Sequence, residues 1–173
     1  MSHPEQRVFI QSVKDKHPSL FVGTYVLEVG SLDINGTVRD FFTESYYRGV
    51  DLEEGPGVDI VCPGQDLEYP TNHFDVCISA ECFEHNPYWL ETFVNMIRMS
   101  GNLVVFTCAT EGRPEHGTTR TSPADSPFTL DWDYYRNLTE QDFRVLDLDR
   151  IFHEYEFSVN ENSKDLYFWG FKR

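Results

Sequence analysis

The stretch that decides the fold is Val26-Leu27-Glu28-Val29-Gly30-Ser31, an apolar run that stops at a glycine. A run with so little polar alternation is typical of a strand covered on both faces, as in a parallel α/β sheet. Gly30 lets the backbone approach a ligand, because no Cβ stands in the way. Ligands of open α/β sheets bind beyond the carboxyl ends of the strands. The turn at Gly30 is therefore the predicted centre of a binding site.

Strand-like and helix-like segments alternate along the rest of the chain, which predicts an α/β fold with a mostly parallel sheet. The short connection 160–165 predicts that this sheet ends in an antiparallel hairpin strand. We expect one domain over residues 1–173, with an N-terminal helix in 1–22 and a substrate-side loop over 110–138. The predicted helices are 5–16, 37–42, 87–99 and one that opens at Thr139. The predicted strands are 25–29, 46–50, 58–62, 74–79, 102–109, 153–159 and 166–171.

The charge of the chain limits its partners. There are 14 Lys and Arg residues against 29 Asp and Glu residues, a formal net charge of −15. Because nucleic-acid backbones are bound largely through Lys and Arg, we do not expect duplex nucleic acid as a substrate. No apolar run approaches the roughly 20 residues that span a bilayer, and no secretory signal is evident. We expect a cytoplasmic protein that binds no membrane. The sequence leaves open whether the chain forms an oligomer or binds a partner subunit.

The turn after the first strand lacks the glycine pattern that cradles phosphates. It reads Gly30-Ser31-Leu32-Asp33-Ile34-Asn35-Gly36, without the spacing Gly-x-Gly-x-x-Gly. The carboxylates of Glu28 and Asp33 lie in or beside this turn and disfavour a pyrophosphate. The turn therefore predicts a cationic or zwitterionic ligand without phosphates.

Further polar residues follow the next strands. Asp51 comes about 20 positions after the turn, where a carboxylate is the usual partner of ribose hydroxyls. The triplet Gln65-Asp66-Leu67 follows the third strand, where a carboxylate can accept from an adenine amino group. Ser79 and Ala80 end the fourth strand, and we expect them to form the opposite wall of the binding site. Together these positions predict a phosphate-free adenosine ligand.

These segments resemble the class I S-adenosylmethionine-dependent methyltransferases, in particular the small type 11 group. The resemblance covers nearly the whole chain, from Val-Leu-Glu-Val-Gly through Asp51 and Gln65-Asp66-Leu67 to Phe74-Asp75-Val76 and Glu84-His85. It implies a single Rossmann-like three-layer sandwich with a seven-stranded sheet. It also implies S-adenosylmethionine as the cofactor and S-adenosylhomocysteine as the product. The cofactor-binding residues that it implies are Glu28, Gly30, Ser31, Asp51, Leu52, Asp66, Leu67, Ser79 and Ala80.

The segment Glu81-Cys82-Phe83-Glu84-His85 predicts either a metal site or a pocket wall. In one helical turn Glu81, Glu84 and His85 would share a side, where they can hold a divalent ion that His116 completes. The pattern is similar to that of two groups of metal-dependent O-methyltransferases, which act on polyprenyl catechols and on the terminal ribose of small RNAs. The leading prediction has no metal, with His85 or His116 as the general base. A divalent metal stays as the alternative.

The predicted activity is methyl transfer to an oxygen of a small-molecule, sugar or phenolic acceptor. One alternative is metal-assisted methylation of a ribose or catechol hydroxyl. An alternative of another class is a cofactor-binding or regulatory protein without catalytic activity. A nicotinamide dehydrogenase is disfavoured, since the phosphate glycines are absent and the sheet is predicted to end antiparallel. Trp132, Tyr134 and Tyr135 are candidates either for a wall of the acceptor site or for packing that pins the loop.

Overall fold

A computed structural model describes residues 4–173 and places seven strands in one sheet. The strand order is β3-β2-β1-β4-β5-β7-β6; β1 to β5 pair in parallel, and β7 is antiparallel to both of its neighbours. The predicted mostly parallel sheet with an antiparallel hairpin is confirmed. The strands are β1 Tyr25–Val29, β2 Tyr46–Asp51, β3 Ile60–Val61, β4 Phe74–Ala80, β5 Ser100–Ala109, β6 Phe152–Asn160 and β7 Asp165–Lys172.

Helices cover both faces of this sheet and complete the three layers. They are α1 Pro4–Lys16, α2 Trp89–Met99, α3 Glu140–Phe143 and α4 Leu148–Ile151. Successive strand residues point to opposite faces, so Val26 packs with α1 while Leu27 packs with α2, α3 and α4. The near-continuous apolar runs of the sequence reflect this two-sided burial.

The connection between β1 and β2 corrects the predicted helix at 37–42. The structure holds only a 3-10 turn, Arg39–Phe41. Tertiary contacts define this segment: Val38 is fully buried, and the Arg39 guanidinium binds both the Gly57 carbonyl and the Asp59 carboxylate. These contacts outweigh the weak local preference for a helix. Because no crossover helix covers this face beside β1, α1 and the following 3-10 turn Pro18–Phe21 cover it instead.

One further predicted element is shorter in the structure, and one predicted segment is only partly described. The strand predicted at 58–62 shortens to Ile60–Val61, since only Val50 and Asp51 pair with it. Residues 1–3 of the predicted N-terminal segment 1–22 lie outside the described residues. None of the helices within residues 4–173 is long and apolar enough to cross a membrane.

The short helix α3 depends on one aromatic anchor, which yields a stability prediction. The Phe143 ring is fully buried and stacks on Phe106 with 4.6 Å between ring centroids. We expect Phe143→Ala to lower the free energy of unfolding by about 3–5 kcal/mol, the usual cost of removing a buried aromatic ring. The control Val145→Ala changes an exposed side chain two residues away and should cost less than about 0.5 kcal/mol. Urea denaturation measures both, and equal losses would contradict the anchoring role.

Candidate functional site

The turn after β1 folds tightly onto the ends of β2 and β4. The N–H groups of Gly30 and Ser31 both donate to the Val50 carbonyl, at 2.9 and 3.1 Å. Gly30 has a φ of +80°, and a Cβ added there would lie 2.6 Å from Cys82 Cβ. Glycine is required here on two grounds, the left-handed backbone and the contact with Cys82.

Asp51 ends β2 beside this turn, and its carboxylate holds the turn in shape. One oxygen accepts from the Leu32 N–H at 2.9 Å and the other from the Leu52 N–H at 2.8 Å. Burial raises the pKa of Asp51 above its usual value, although these two N–H donors oppose that shift. Each oxygen keeps a further lone pair, so Asp51 can still accept from a ligand.

Two narrow adjoining cavities lie at the ends of β1, β2 and β4, and we call them together the strand-end cleft. They measure about 40 and about 30 Å³ and share Gly30, Asp51, Cys82 and Thr129 in their linings. The acidic groups of the lining are Asp51, Glu81 and Asp125, and no Lys or Arg from the described residues joins them. The cleft therefore favours a cation over an anion.

The loop predicted over 110–138 closes this cleft. Residues 125–129 of the loop line one cavity, and Thr129 and Trp132 line the other. Phe128 reaches across to the connection after β2, where a Cβ on Gly55 would meet its ring at 3.1 Å. Cavities of this size hold single water molecules rather than a nucleoside. A larger ligand needs the segment 125–132 to move.

Glu28 lies on the other side of the sheet, away from the cleft. It shares the face of Val26, and its carboxylate accepts a hydrogen bond from the Tyr47 hydroxyl at 2.8 Å. Burial raises the pKa of Glu28 from 4.5 to about 7, while the Tyr47 hydrogen bond opposes the shift. The alternation of side chains along β1 explains this placement. The cofactor role of Glu28 remains a prediction. Its side-chain contacts do not support that role.

Other predicted cofactor residues divide between the cleft and the core. Leu52 lines the cleft with Gly30 and Asp51. Ser79 is buried and donates to the Val29 carbonyl at 2.8 Å, so it ties β4 to β1. The remaining four have side chains outside the cleft lining: Ser31 packs against Gly49, Leu67 and Ala80 belong to the core, and Asp66 is exposed.

Two cleft residues that follow β4, Cys82 and Asn86, were not among the site residues predicted from the sequence. Trp132, a predicted candidate for the acceptor wall or for loop packing, lines the cleft from the loop. Asn86 is buried and donates to the Thr92 hydroxyl at 2.9 Å, which fixes its amide. Trp132 packs edge-on against Tyr88, so it both lines the cleft and pins the loop. An aromatic residue on a long loop is a weak signal, since it fits either role.

A larger cavity of about 390 Å³ adjoins the cleft, and we call it the loop cavity. Glu81, His85 and Asp125 line both the cleft and the loop cavity. Glu81 stands at the junction with a left-handed backbone, φ +51°, directly after β4. Strained residues of this kind concentrate at functional sites. Arg113 and His116 also line the loop cavity.

The predicted metal ligands gather at this junction in a different combination. One ligand atom from each of Glu84, His85 and His116 lies within 4.8 Å of the others, and Glu81 is not part of that set. Glu84 is fully buried, and its carboxyl group shares a side-chain hydrogen bond with that of Glu81. Two carboxylates in contact cannot both stay ionised without compensation, and a shared proton or a cation supplies it.

The two imidazoles are held in place by the loop. His116 Nδ1 lies 3.1 Å from the Pro114 carbonyl, which can only accept, so Nδ1 carries the proton and Nε2 offers a lone pair. The His85 ring lies under Gly117, where a Cβ would approach Cε1 to 2.7 Å. Burial lowers the pKa of His85 to about 3 and raises that of Glu84 to about 7. The neutral imidazoles can therefore act as proton acceptors or metal ligands.

Glu28 gives a pH-dependent stability prediction. Its pKa is higher in the folded chain, about 7, than the ordinary 4.5, so the folded state binds the proton more tightly. Stability therefore falls as pH rises through this window. Glu28→Gln keeps an acceptor for Tyr47 and should exceed the parent stability by about 3 kcal/mol above pH 7, with little difference below pH 4.5. Unfolding curves across pH measure this, with exposed Glu54→Gln as control. If the stability difference between Glu28→Gln and the parent does not change with pH, Glu28 does not have the raised pKa of a buried carboxyl group.

Gly30 and Gly23 form a matched pair for a second prediction. Both have positive φ, +80° and +65°, but only Gly30 has a neighbour within 4 Å of a built Cβ. Gly23→Ala should cost about 1 kcal/mol from backbone strain alone. Gly30→Ala should cost about 2–4 kcal/mol, because the methyl group also collides with Cys82. Chemical denaturation of both variants measures the difference, and equal losses would show that the Cys82 contact relaxes freely.

Comparison with known proteins places this architecture among solved structures. No protein-family model matches the chain, and no curated protein matches it in sequence. A Burkholderia thailandensis 1,6-didemethyltoxoflavin-N1-methyltransferase, solved with its acceptor and S-adenosylhomocysteine, matches at 16% identity with a TM-score of 0.60. That match covers 99% of this chain and 91% of the other.

Two further matches show how varied the proteins with this architecture are. A Haemonchus contortus phosphoethanolamine N-methyltransferase matches at 17% identity and a TM-score of 0.63, over 98% of this chain and 52% of its own. The [4+2]-cyclase SpnF matches at 16% identity and a TM-score of 0.58, over 87% of this chain and 60% of its own. The architecture of this chain is thus the class I methyltransferase fold.

Proposed function

We propose that this chain is an S-adenosylmethionine-dependent methyltransferase that methylates an oxygen atom of a small acceptor. The observation that carries the proposal is that the strand-end cleft and the loop cavity share Glu81, His85 and Asp125. A cofactor in the cleft and an acceptor in the loop cavity would meet at this wall. Fold alone does not decide the reaction, as the cyclase SpnF illustrates. The proposal therefore rests on the two adjoining cavities.

The residues of the cleft fit the chemistry of this cofactor. A sulfonium cation suits a lining that holds three carboxylates and, within the described residues, no Lys or Arg. The same lining disfavours the pyrophosphate of a dinucleotide. Asp51 lies at the end of β2, where a carboxylate accepts from ribose hydroxyls. The cleft must widen to admit the cofactor, and we infer that the segment 125–132, which belongs to the irregular loop, is the part of its wall that moves.

When bound, S-adenosylmethionine supplies a methyl group that is already activated on sulfur. The chain then has to hold the acceptor oxygen in line with that methyl group and to exclude water. Glu81 and His85 line the junction of the two cavities, so they can position the acceptor. Nε2 of His116 offers a lone pair for the hydroxyl proton, since Nδ1 donates to the Pro114 carbonyl.

A metal-assisted reaction is the second candidate, and the Glu84, His85 and His116 cluster favours it. Carboxylate and imidazole donors suit several divalent metals. The Pro114 carbonyl bound to His116 Nδ1 resembles the usual outer support of a metal-binding histidine. A divalent ion held there would lower the pKa of an acceptor hydroxyl. Glu84, His85 and His116 would hold the ion, and the loop cavity would hold the acceptor.

Cofactor binding gives the first test. Titration calorimetry with S-adenosylhomocysteine should show binding, and Asp51→Asn should weaken it at least about tenfold, because a charged acceptor for the ribose diol is lost. The control Glu54→Gln removes a nearby exposed carboxylate and should leave the affinity unchanged. Binding of NAD in place of S-adenosylhomocysteine would contradict the proposal.

Metal binding gives the second test. If the cluster holds an ion, Mn²⁺ should bind the full chain as measured by electron paramagnetic resonance. Glu84→Gln and His116→Ala should each weaken that binding about 10–100-fold or more. His153→Ala, which changes an exposed histidine outside the site, should have no effect. Methyl transfer from labelled cofactor with and without a chelator then separates the two candidates, since only the metal-assisted reaction stops with the chelator.

A further inference from the structure

Most of the side chains that line the loop cavity carry polar groups. Among residues 4–173, the one hydrocarbon side chain in it is Pro114. Its other members are the carboxylates Glu81, Glu115 and Asp125, the imidazoles His85 and His116, the hydroxyls Thr121 and Ser122, and the guanidinium Arg113. Sites for flat or lipid-like molecules are lined mainly by apolar and aromatic groups. This cavity instead has several hydrogen-bonding groups in its wall, beside the apolar stems of the same side chains.

Among residues 4–173, the cavity also has no free Lys or Arg side chain. Its one guanidinium, Arg113, binds the fully buried Asp165 carboxylate at 3.0 Å and also donates to the Ser163 carbonyl. The nearby Arg120 bridges Glu115 and Asp133 at the exposed edge. The carboxylate of Asp125 faces no cation closer than 4.0 Å in the described chain. An acceptor with a phosphate or carboxylate would therefore meet repulsion here.

No Phe, Tyr or Trp of the described residues lines the loop cavity. The Tyr135 ring lies beside the cavity, but it packs against His85 and His116 with centroid distances of 5.5 and 5.1 Å. Its hydroxyl donates to the Pro114 carbonyl at 3.2 Å. Tyr135 is thus engaged in holding the two imidazoles and does not form a stacking wall. A phenol or catechol ring would bury its faces against carboxylates and hydroxyls, which is unfavourable.

We propose that the acceptor is a small polyhydroxyl compound without anionic groups, a neutral sugar or an amino sugar. This inference rests on the proposed function and names the substrate class of the same site. Hydroxyl groups both donate and accept, so they can satisfy the carboxylates and imidazoles of the cavity at once. The cavity volume, about 390 Å³, lies within the range of about 300–1,000 Å³ found for small-molecule sites. The phosphate-bearing acceptor of the Haemonchus enzyme would be excluded here.

Saturation-transfer NMR on the full chain tests the class directly, with methyl glucoside, glucosamine, glucose 6-phosphate and catechol as probes. Each probe is measured on the free chain and on the chain saturated with S-adenosylhomocysteine. We expect the two uncharged or cationic sugars to bind at least about tenfold more tightly than the sugar phosphate. They should also bind more tightly than catechol. Preference for catechol or for the phosphate, or binding of no probe to either form, would overturn the inference.

A variant pair tests the electrostatic part of the argument. Thr121 is exposed at the rim of the cavity. Thr121→Lys adds a cation and should raise the affinity for glucose 6-phosphate relative to that for methyl glucoside about threefold or more. The control Thr121→Gln removes the same hydroxyl without adding charge and should leave the ratio of the two affinities unchanged. If Thr121→Lys leaves the phosphate as weak as before, the charge of the cavity does not select the acceptor.

Failure of the inference and failure of the proposed function are distinguishable. If S-adenosylhomocysteine does not bind, the proposed function is wrong, and the ranking of probes on the free chain still decides the ligand class. If S-adenosylhomocysteine binds and catechol or the sugar phosphate is preferred, the methyltransferase stands and the sugar inference is wrong.

Discussion

The contact between Gly30 and Cys82 is the constraint on which the site depends. A side chain on Gly30 would lie 2.6 Å from Cys82 Cβ, so the turn after β1 and the chain after β4 meet without a gap. The same turn is tied to β2 through the Val50 carbonyl, which brings Asp51 alongside. Glu81, one residue before Cys82, then stands where the two cavities join. One close contact thus sets the positions of the groups that define the site.

Acidic residues have two separate effects in this molecule, one through the net charge of the chain and one within the site. The surface excess, a formal net charge of −15, opposes binding to polyanions. The acids at the site act locally: Asp51, Glu81 and Asp125 face the cavities, whereas Glu84 is buried behind them with two imidazoles close by. Keeping Glu84 buried destabilises the fold unless a proton or a cation accompanies it. Such a cost is commonly tolerated where function requires it.

Sequence reasoning predicted the sheet more accurately than the site. The strands and the hairpin followed from apolar runs, and the turn after β1 followed from Gly30, because these are local properties of the chain. The helix predicted at 37–42 was wrong because buried Val38 and the Arg39 contacts define that segment, and these partners are distant in sequence. Glu28 and Ala80 were assigned to the cofactor site because they lie at the ends of β1 and β4. Side chains alternate between the two faces of a sheet, however, and both of these lie on the face that α1 covers.

The sequence by itself determined the class of fold, the position of the glycine turn and the acid that follows β2. It also determined the acidic character that disfavours phosphates, since charge and pattern do not depend on packing. Only the tertiary structure decided that His116 joins Glu84 and His85, and that the loop closes over the cleft. The reason is distance along the chain: His116 lies about 30 residues beyond His85, and only the packing of an irregular loop brings them together.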